Sequence, residues 1–263
     1  PEKLENELHS NAKINHQFAA NNLQWSFLDG LKDYYKHFVA ITAPTIGHYP
    51  NHFKKWYFKG ISFHRSTGFS RRDLCVSFVN LPLINLFNKG ISVFIGLYKW
   101  GRNAPGEKYA IVYSAHTPLL LSAILAKWKF KDLKVCLIVP DLPSFMSENN
   151  TKMYRVLKNI DHWIIQYCLR RVDSFVLLSK YMAEPLEVGV RPWVLIEGIY
   201  RNTLSNIPYE KSDKKVILYT GALTLKDGIY TLINAFKKIA GNEYRLWLRG
   251  SGPIYDDVTK IIK

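Results

Sequence analysis

Apolar positions change their spacing along the chain, and the spacing predicts helices alternating with short strands. Over residues 14–38 they recur at helical spacing, with Ile14, Phe18, Trp25, Leu28, Leu31 and Tyr35 as candidate core positions. A strand is expected at 38–43, ended by Pro44, then a loop rich in proline, histidine and aromatics at 44–60. Residues 74–83 are strand-like and 85–100 helical. Apolar runs at 109–114 and 135–139 have the look of strands buried on both faces, and a helix through Lys127 separates them. An amphipathic helix is expected at 153–171. The run Phe175-Val176-Leu177-Leu178 follows, flanked by Asp173 and Ser179, which fit a turn residue and a helix N-cap. A strand at 193–196 leads into a polar stretch at 200–215 that reads as a linker.

The last stretch has the most definite pattern. Residues 216–220 and 244–248 are short apolar runs, with a helical segment at 229–239 between them, which predicts a βαβ unit of a parallel sheet. Gly221 and the Gly250-Ser251-Gly252 sequence fall just past the strand ends, where open α/β sheets bind ligands. Glycine there lets backbone approach a ligand closely. Lys226, just before the helix, either sets a cation beside a phosphate at the helix N-terminus or is a solvated loop lysine.

Composition narrows the partners. A net charge of +15 implies something anionic: nucleic acid, an anionic membrane surface or phosphorylated substrates. Lysines and arginines interleave with aromatics at 54–59, 98–102 and 127–131, a mixture suited to a lipid headgroup region. The other reading is that the aromatics pack inward and the lysines form a solvated face. No nucleic-acid-binding motif is recognised, so nucleic acid is not expected as a partner. Cys75, Cys136 and Cys168 match no metal spacing and are expected as buried free thiols, with the cytoplasm as compartment. No run reaches the roughly 18 apolar residues of a membrane span, and residues 1–13 do not resemble a signal peptide.

The stretch from Tyr219 resembles the start of the C-terminal domain of glycosyltransferase family 4, enzymes of the two-domain GT-B fold. The resemblance is carried by Tyr219-Thr220-Gly221, Lys226-Asp227-Gly228, Leu232-Ile233-Asn234-Ala235-Phe236 and Gly250-Ser251-Gly252. Upstream, the Asp173–Ser179 pattern also resembles the family, and Glu197-Gly198 stands where members usually carry Asn-Gly. The resemblance implies that Lys226 contacts the donor diphosphate and that Gly221, Gly250 and Gly252 belong to the same phosphate-binding site. Many members carry an arginine after the first glycine; Ala222 stands here instead. It also implies that His116, at the end of the 109–114 strand, contacts the donor sugar near the reacting centre. On the residues alone, a loop histidine whose bonds are satisfied locally is the favoured reading of His116. Asp141 and Glu197 are placed near the cleft. Asp141 either bonds a hydroxyl or caps the next segment.

The expected architecture is therefore α/β and GT-B-like. A Rossmann-like acceptor-side domain would span 1–199, a linker 200–215 and the first βαβ of an incomplete donor-binding domain 216–263. The first strand of the N-terminal domain is expected to be missing, because a helix entering a strand at its start needs an earlier strand. Two glutamates with seven residues between them, typical of the family, would lie beyond Lys263. The expected activity is retaining transfer of a hexosyl group from a UDP- or GDP-linked donor, with no cofactor and no metal. The acceptor would be a lipid-linked or glycan hydroxyl, in cell-surface glycan or polysaccharide synthesis. The protein would sit peripherally on the inner face of the cell membrane. The rival expectation is a non-catalytic GT-B-like subunit that binds a membrane or a partner.

Overall fold

The computed structural model describes residues 8, 10–11, 18–35, 38–63, 72–82, 84–142, 152–199, 213–239, 241 and 243–262. Most of the expected linker and part of the first expected helix lie outside the described residues. The chain divides into two compact units, Pro1–Arg201 and Asn202–Lys263.

The first unit opens with α1 (Phe18–Tyr34), followed by short strands. β1 (Ile41–Thr42) pairs in parallel with β4 (Asp73–Cys75), to which β3 (Ile61–Phe63) is antiparallel. β2 (Tyr57–Phe58) is antiparallel to β5 (Phe78–Val79). The single strand expected across 74–83 is thus two short ones. Val76 still donates its N–H to the Thr42 carbonyl at 2.9 Å; the chain then changes neighbour, and Phe78 pairs with Phe58. Burial explains the switch: Phe53, Phe58, Cys75 and Phe78 form one apolar cluster, with the Phe58 and Phe78 rings stacked 5.1 Å apart.

α2 (Ile84–Asn103) is inverted over its first half. Asn85 and Lys89, one turn apart, face inward and are only 2% and 5% exposed. Ile84, Phe87, Ile91 and Ile95 face out, with Phe87 76% exposed. Farther along, the helix packs conventionally. Gly96 approaches Ile41 and Leu74, and Phe94, Leu97 and Trp100 lie against Ala110, Ala126 and Leu133.

The main sheet of this unit is fully parallel. Its described order is β6 (Lys108–Tyr113), β7 (Leu133–Val139), β8 (Ser174–Leu177) and β9 (Trp193–Leu195). α3 (Thr117–Lys129) connects β6 to β7, and α4 (Lys152–Leu169) lies between β7 and β8. Leu120, Ala123 and Ile124 of α3 meet Ile165, Cys168 and Leu169 of α4 over Val135, Leu137 and Phe175. Burying each large apolar side chain of this cluster contributes about 2 kcal/mol. Tyr109 and Ile111 point the other way from β6 and stay exposed.

Two polar residues fasten these elements. Asp173 does more than make a turn: its carboxylate accepts from Lys127 Nζ and from the Val135 N–H, both at 2.7 Å. Ser179 Oγ accepts from the Tyr181 N–H at 3.4 Å and caps the 3-10 turn Lys180–Met182, as expected of an N-cap. The three cysteines are free thiols, but Cys136 is only partly buried. Burial pushes the Cys168 thiol up to about 11.

The second unit is the expected βαβ. β10 (Lys215–Thr220) and β11 (Tyr244–Arg249) pair in parallel, in register from Lys215↔Tyr244 to Thr220↔Arg249. α5 (Ile229–Ile239) crosses between them, and α6 (Tyr255–Ile262) follows. Leu223, Ile229, Ile233, Ile254 and Val258 form their core. On the opposite face Leu218 and Trp247, register partners, stay exposed.

Candidate functional site

Candidate residues gather at strand ends in each unit. In the first unit β6 ends at Tyr113, and Ser114 takes a left-handed conformation (φ 67°), uncommon for a residue with a side chain. Its N–H still bonds the Ile138 carbonyl at 2.9 Å, so the turn is held from β7. The turn delivers His116 to the N-cap position of α3, with Pro118 inside the first turn. Its backbone carbonyl accepts from Leu119 and Leu120 at 3.0 Å each. The imidazole makes no capping bond, so it is available to something else. Thr117 donates its hydroxyl to Asp161 of α4, which fixes the two helices beside it.

Burial and then the nearby Lys89 charge lower the His116 pKa, against an opposing pull from Asp161. The ring is therefore neutral at pH 7, able to donate from one nitrogen and accept at the other. Asp141, just past β7, is exposed. Its charge, after burial, raises the Tyr113 hydroxyl, so the ends of β6 and β7 are electrostatically linked. Glu197, past β9, is also exposed, and the structure gives it no described bond to this cluster.

Lys89 has no counterpart in the sequence reading. Its ammonium donates to the Pro44 carbonyl at 2.8 Å and lies 4.2 Å from the Phe78 ring centroid. Among the described residues no carboxylate pairs with it. Desolvation lowers its pKa to about 8, and its charge in turn lowers both His116 and His48. One turn earlier, Asn85 Nδ2 donates to Asn80 Oδ1 at 2.9 Å, while Asn85 Oδ1 is buried without a partner. Asn80 Nδ2 donates onward to the Gly47 carbonyl at 3.0 Å, tying this group to the loop that carries His48. The available sequence signal was the Asn85–Lys89 spacing, which puts two polar side chains on one helical face, but apolar neighbours at 84, 87, 91 and 95 masked it.

The second unit places its candidates differently. Gly221, Lys226 and Gly250 are exposed and Gly252 partly buried, all at the carboxyl ends of β10 and β11. The close approach at the glycines is made by the chain itself. A Cβ on Gly250 would lie 1.9 Å from the Gly221 carbonyl oxygen, and one on Gly252 would lie 2.2 Å from that of Leu223. Gly221 donates its N–H to the Arg249 carbonyl at 3.1 Å, and Leu223 donates to Ser251 at 2.9 Å. The parallel ladder thus continues past both strands. The Gly221 N–H, expected to face a phosphate, is taken by the Arg249 carbonyl. Lys226 sits in the 3-10 turn Leu225–Asp227, ahead of Gly228 in a left-handed conformation (φ 71°) and the start of α5. Asp227 takes the Thr224 hydroxyl, and no ion pair of Lys226 is described.

The basic–aromatic clusters divide. Trp56, Tyr57 and Trp128 are exposed, whereas Phe58 is buried and Lys127 is bound to Asp173. Among the described residues no three His, Cys, Asp or Glu side chains are grouped to hold a metal. No described helix is long and apolar enough to cross a membrane.

No protein-family model matches the chain, and no curated protein matches it. Among solved structures, a mutant of S. aureus TarM in complex with fondaparinux, alpha-GlcNAc-glycerol and UDP is similar at 15% sequence identity and a TM-score of 0.40. The similarity covers 71% of this chain and 34% of that one, so the chain spans well under half of that protein. A TM-score this low does not establish a shared fold, and no residue role is carried over from it. What the structure itself establishes is an α/β chain of two units, each built on parallel strands with candidate residues at their carboxyl ends.

Proposed function

We propose that the chain is part of a retaining, GT-B-type glycosyltransferase of the family 4 kind. It would move a sugar from a UDP- or GDP-linked donor to a hydroxyl of a lipid-linked or glycan acceptor, in cell-surface glycan or polysaccharide synthesis. The observation that carries this reading is the β10–α5–β11 unit, in which Lys226 stands between a parallel strand's end and a helix start. That is where open α/β sheets take phosphate groups.

In this reading the leaving group is a nucleoside diphosphate, whose growing negative charge must be met. Lys226 and the unpaired N–H groups of the first turn of α5 meet it. No metal is assigned to this role. His116, neutral and free of a capping bond, orients the donor sugar. Asp141 and Glu197 belong to the cleft in this reading. Residues 1–199 serve as the acceptor-side domain, 200–215 as the linker and 216–263 as the start of the donor side. The exposed Ile84, Phe87, Ile91 and Ile95, with Lys99 and Arg102 on the same helix, support contact with an anionic membrane at its cytoplasmic face.

A transfer assay tests the reading. The protein is incubated with labelled UDP- and GDP-sugars and a lipid extract as acceptor. One donor should be consumed with label entering the lipid, and His116→Gln should slow this by about a hundredfold while leaving nucleotide binding intact. No consumption of any donor, or full rate in the variant, would count against it. A second reading, a non-catalytic subunit, is favoured by one observation: Ala222 offers no cation where many family members carry arginine, and the adjacent Gly221 N–H is occupied. It predicts nucleotide or membrane binding without turnover.

A further inference from the structure

The geometry points to a phosphate-binding site in the first unit, with Lys89 as its floor and His116 and His48 at its mouth, which would hold a phosphoryl group of a substrate. The site is built from the first unit alone and its argument does not use Lys226.

An ammonium buried to this degree with no carboxylate partner among the described residues is costly, and a protein retains one where the charge is used. The bond to Pro44 and the Phe78 ring occupy part of the Lys89 ammonium, yet only one of its three N–H groups has a described acceptor. The two imidazoles come from elements packed on this part of α2: the loop after β1, tied in through Pro44 and Gly47, carries His48, and α3, whose Pro118 lies 3.7 Å from a Cβ placed on Gly90, begins at His116. Cation and imidazole donors converging from three elements suit the several oxygens of a tetrahedral phosphate. The unpartnered Asn85 Oδ1, 2% exposed, adds an acceptor for a hydroxyl or a protonated oxygen beside the anion. The ligand class is therefore a phosphorylated, hydroxyl-bearing compound. Asp161, whose charge acts on His116, accepts from the Thr117 hydroxyl.

The role of that phosphate as part of an acceptor rests on the glycosyl-transfer reading; the site itself does not. Its test is binding of inorganic phosphate, followed through the ring resonances of His116 and His48. Phosphate should shift both in the wild-type protein and in Lys226→Ala. In Lys89→Met it should bind at least about tenfold more weakly. The His116 pKa should rise in that variant, because a neighbouring positive charge is gone. Thermal unfolding decides whether Lys89 is merely a pin for the Pro44 loop. Retained or raised stability in Lys89→Met with lost phosphate binding supports the site. Lost stability with an unchanged phosphate response overturns it, as does a wild-type protein whose histidine resonances ignore phosphate.

Discussion

The strand ends of the two units solve the same architectural problem by different means. In the first unit, the loops after β1 and β6, with the inner face of α2, collect side chains: Lys89, His48 and His116, with Asn80 and Asn85 beside them. Their properties come from burial, which lowers the Lys89 pKa to about 8 and keeps His116 neutral. In the second unit, the loops after β10 and β11 close on each other through backbone. Gly250 and Gly252 have no room for a side chain, and Lys226 stays in solvent. One region is tuned by desolvation and the other by chain geometry, so the two should respond to different perturbations.

The largest effect is expected where backbone meets backbone. Gly250→Ala puts a methyl group 1.9 Å from the Gly221 carbonyl. It should cost about 3 kcal/mol and show as loss of amide protection in residues 215–262, with the first unit's amides unaffected. The same substitution at an exposed, uncrowded position such as Gly106 should not be used as a control, since its φ of 70° adds strain of its own.

Lys89 offers the matching perturbation in the first unit. Its folded pKa, about 8, lies below the unfolded value of 10.5, so between those values the unfolded chain binds more protons. Stability should therefore rise as pH climbs from about 8 toward 10.5, by a few kcal/mol. Below pH 8 Lys89 is charged in both states and contributes no slope. The groups that face it are His48, His116 and Cys75; neither imidazole titrates in this window. Denaturant unfolding of wild type and Lys89→Met across pH 7.5–10.5 isolates the contribution, and the variant should lack it.

A smaller loss is expected at Asp173. Asp173→Ala leaves the Val135 N–H without its acceptor and Lys127 with the Arg171 carbonyl but no carboxylate, for about 2 kcal/mol. Its effect belongs to the first unit's core, and phosphate perturbation of His116 should survive it. The smallest change in stability should come from Lys226→Ala, within about 0.5 kcal/mol, because that side chain is exposed. Thermal unfolding should not distinguish it from wild type, although nucleotide binding should.

The same contrast explains what could be read from the chain. Buried parallel strands announce themselves as apolar runs, so β6, β7 and the βαβ of the second unit were legible to within a few residues. The 74–83 segment was not, because strand propensity does not say where a chain changes hydrogen-bonding partner. The glycines past β10 and β11 were visible as glycines, but their reason was not: a sequence cannot tell a ligand's approach from that of a neighbouring carbonyl. Lys89 was hidden for a different cause. Its helix carries Ile84, Phe87, Ile91 and Ile95 on the outside, and apolar periodicity alone assigns that face to the core. Only tertiary packing shows that the polar face points inward.

Calorimetric titration of UDP and of GDP into the wild-type protein and into Lys226→Ala tests the central claim most directly. The account predicts that one of the two nucleotides binds saturably, and that the substitution weakens it about tenfold or more without changing thermal unfolding. Absence of binding by both nucleotides, or equal binding by the variant, would contradict it.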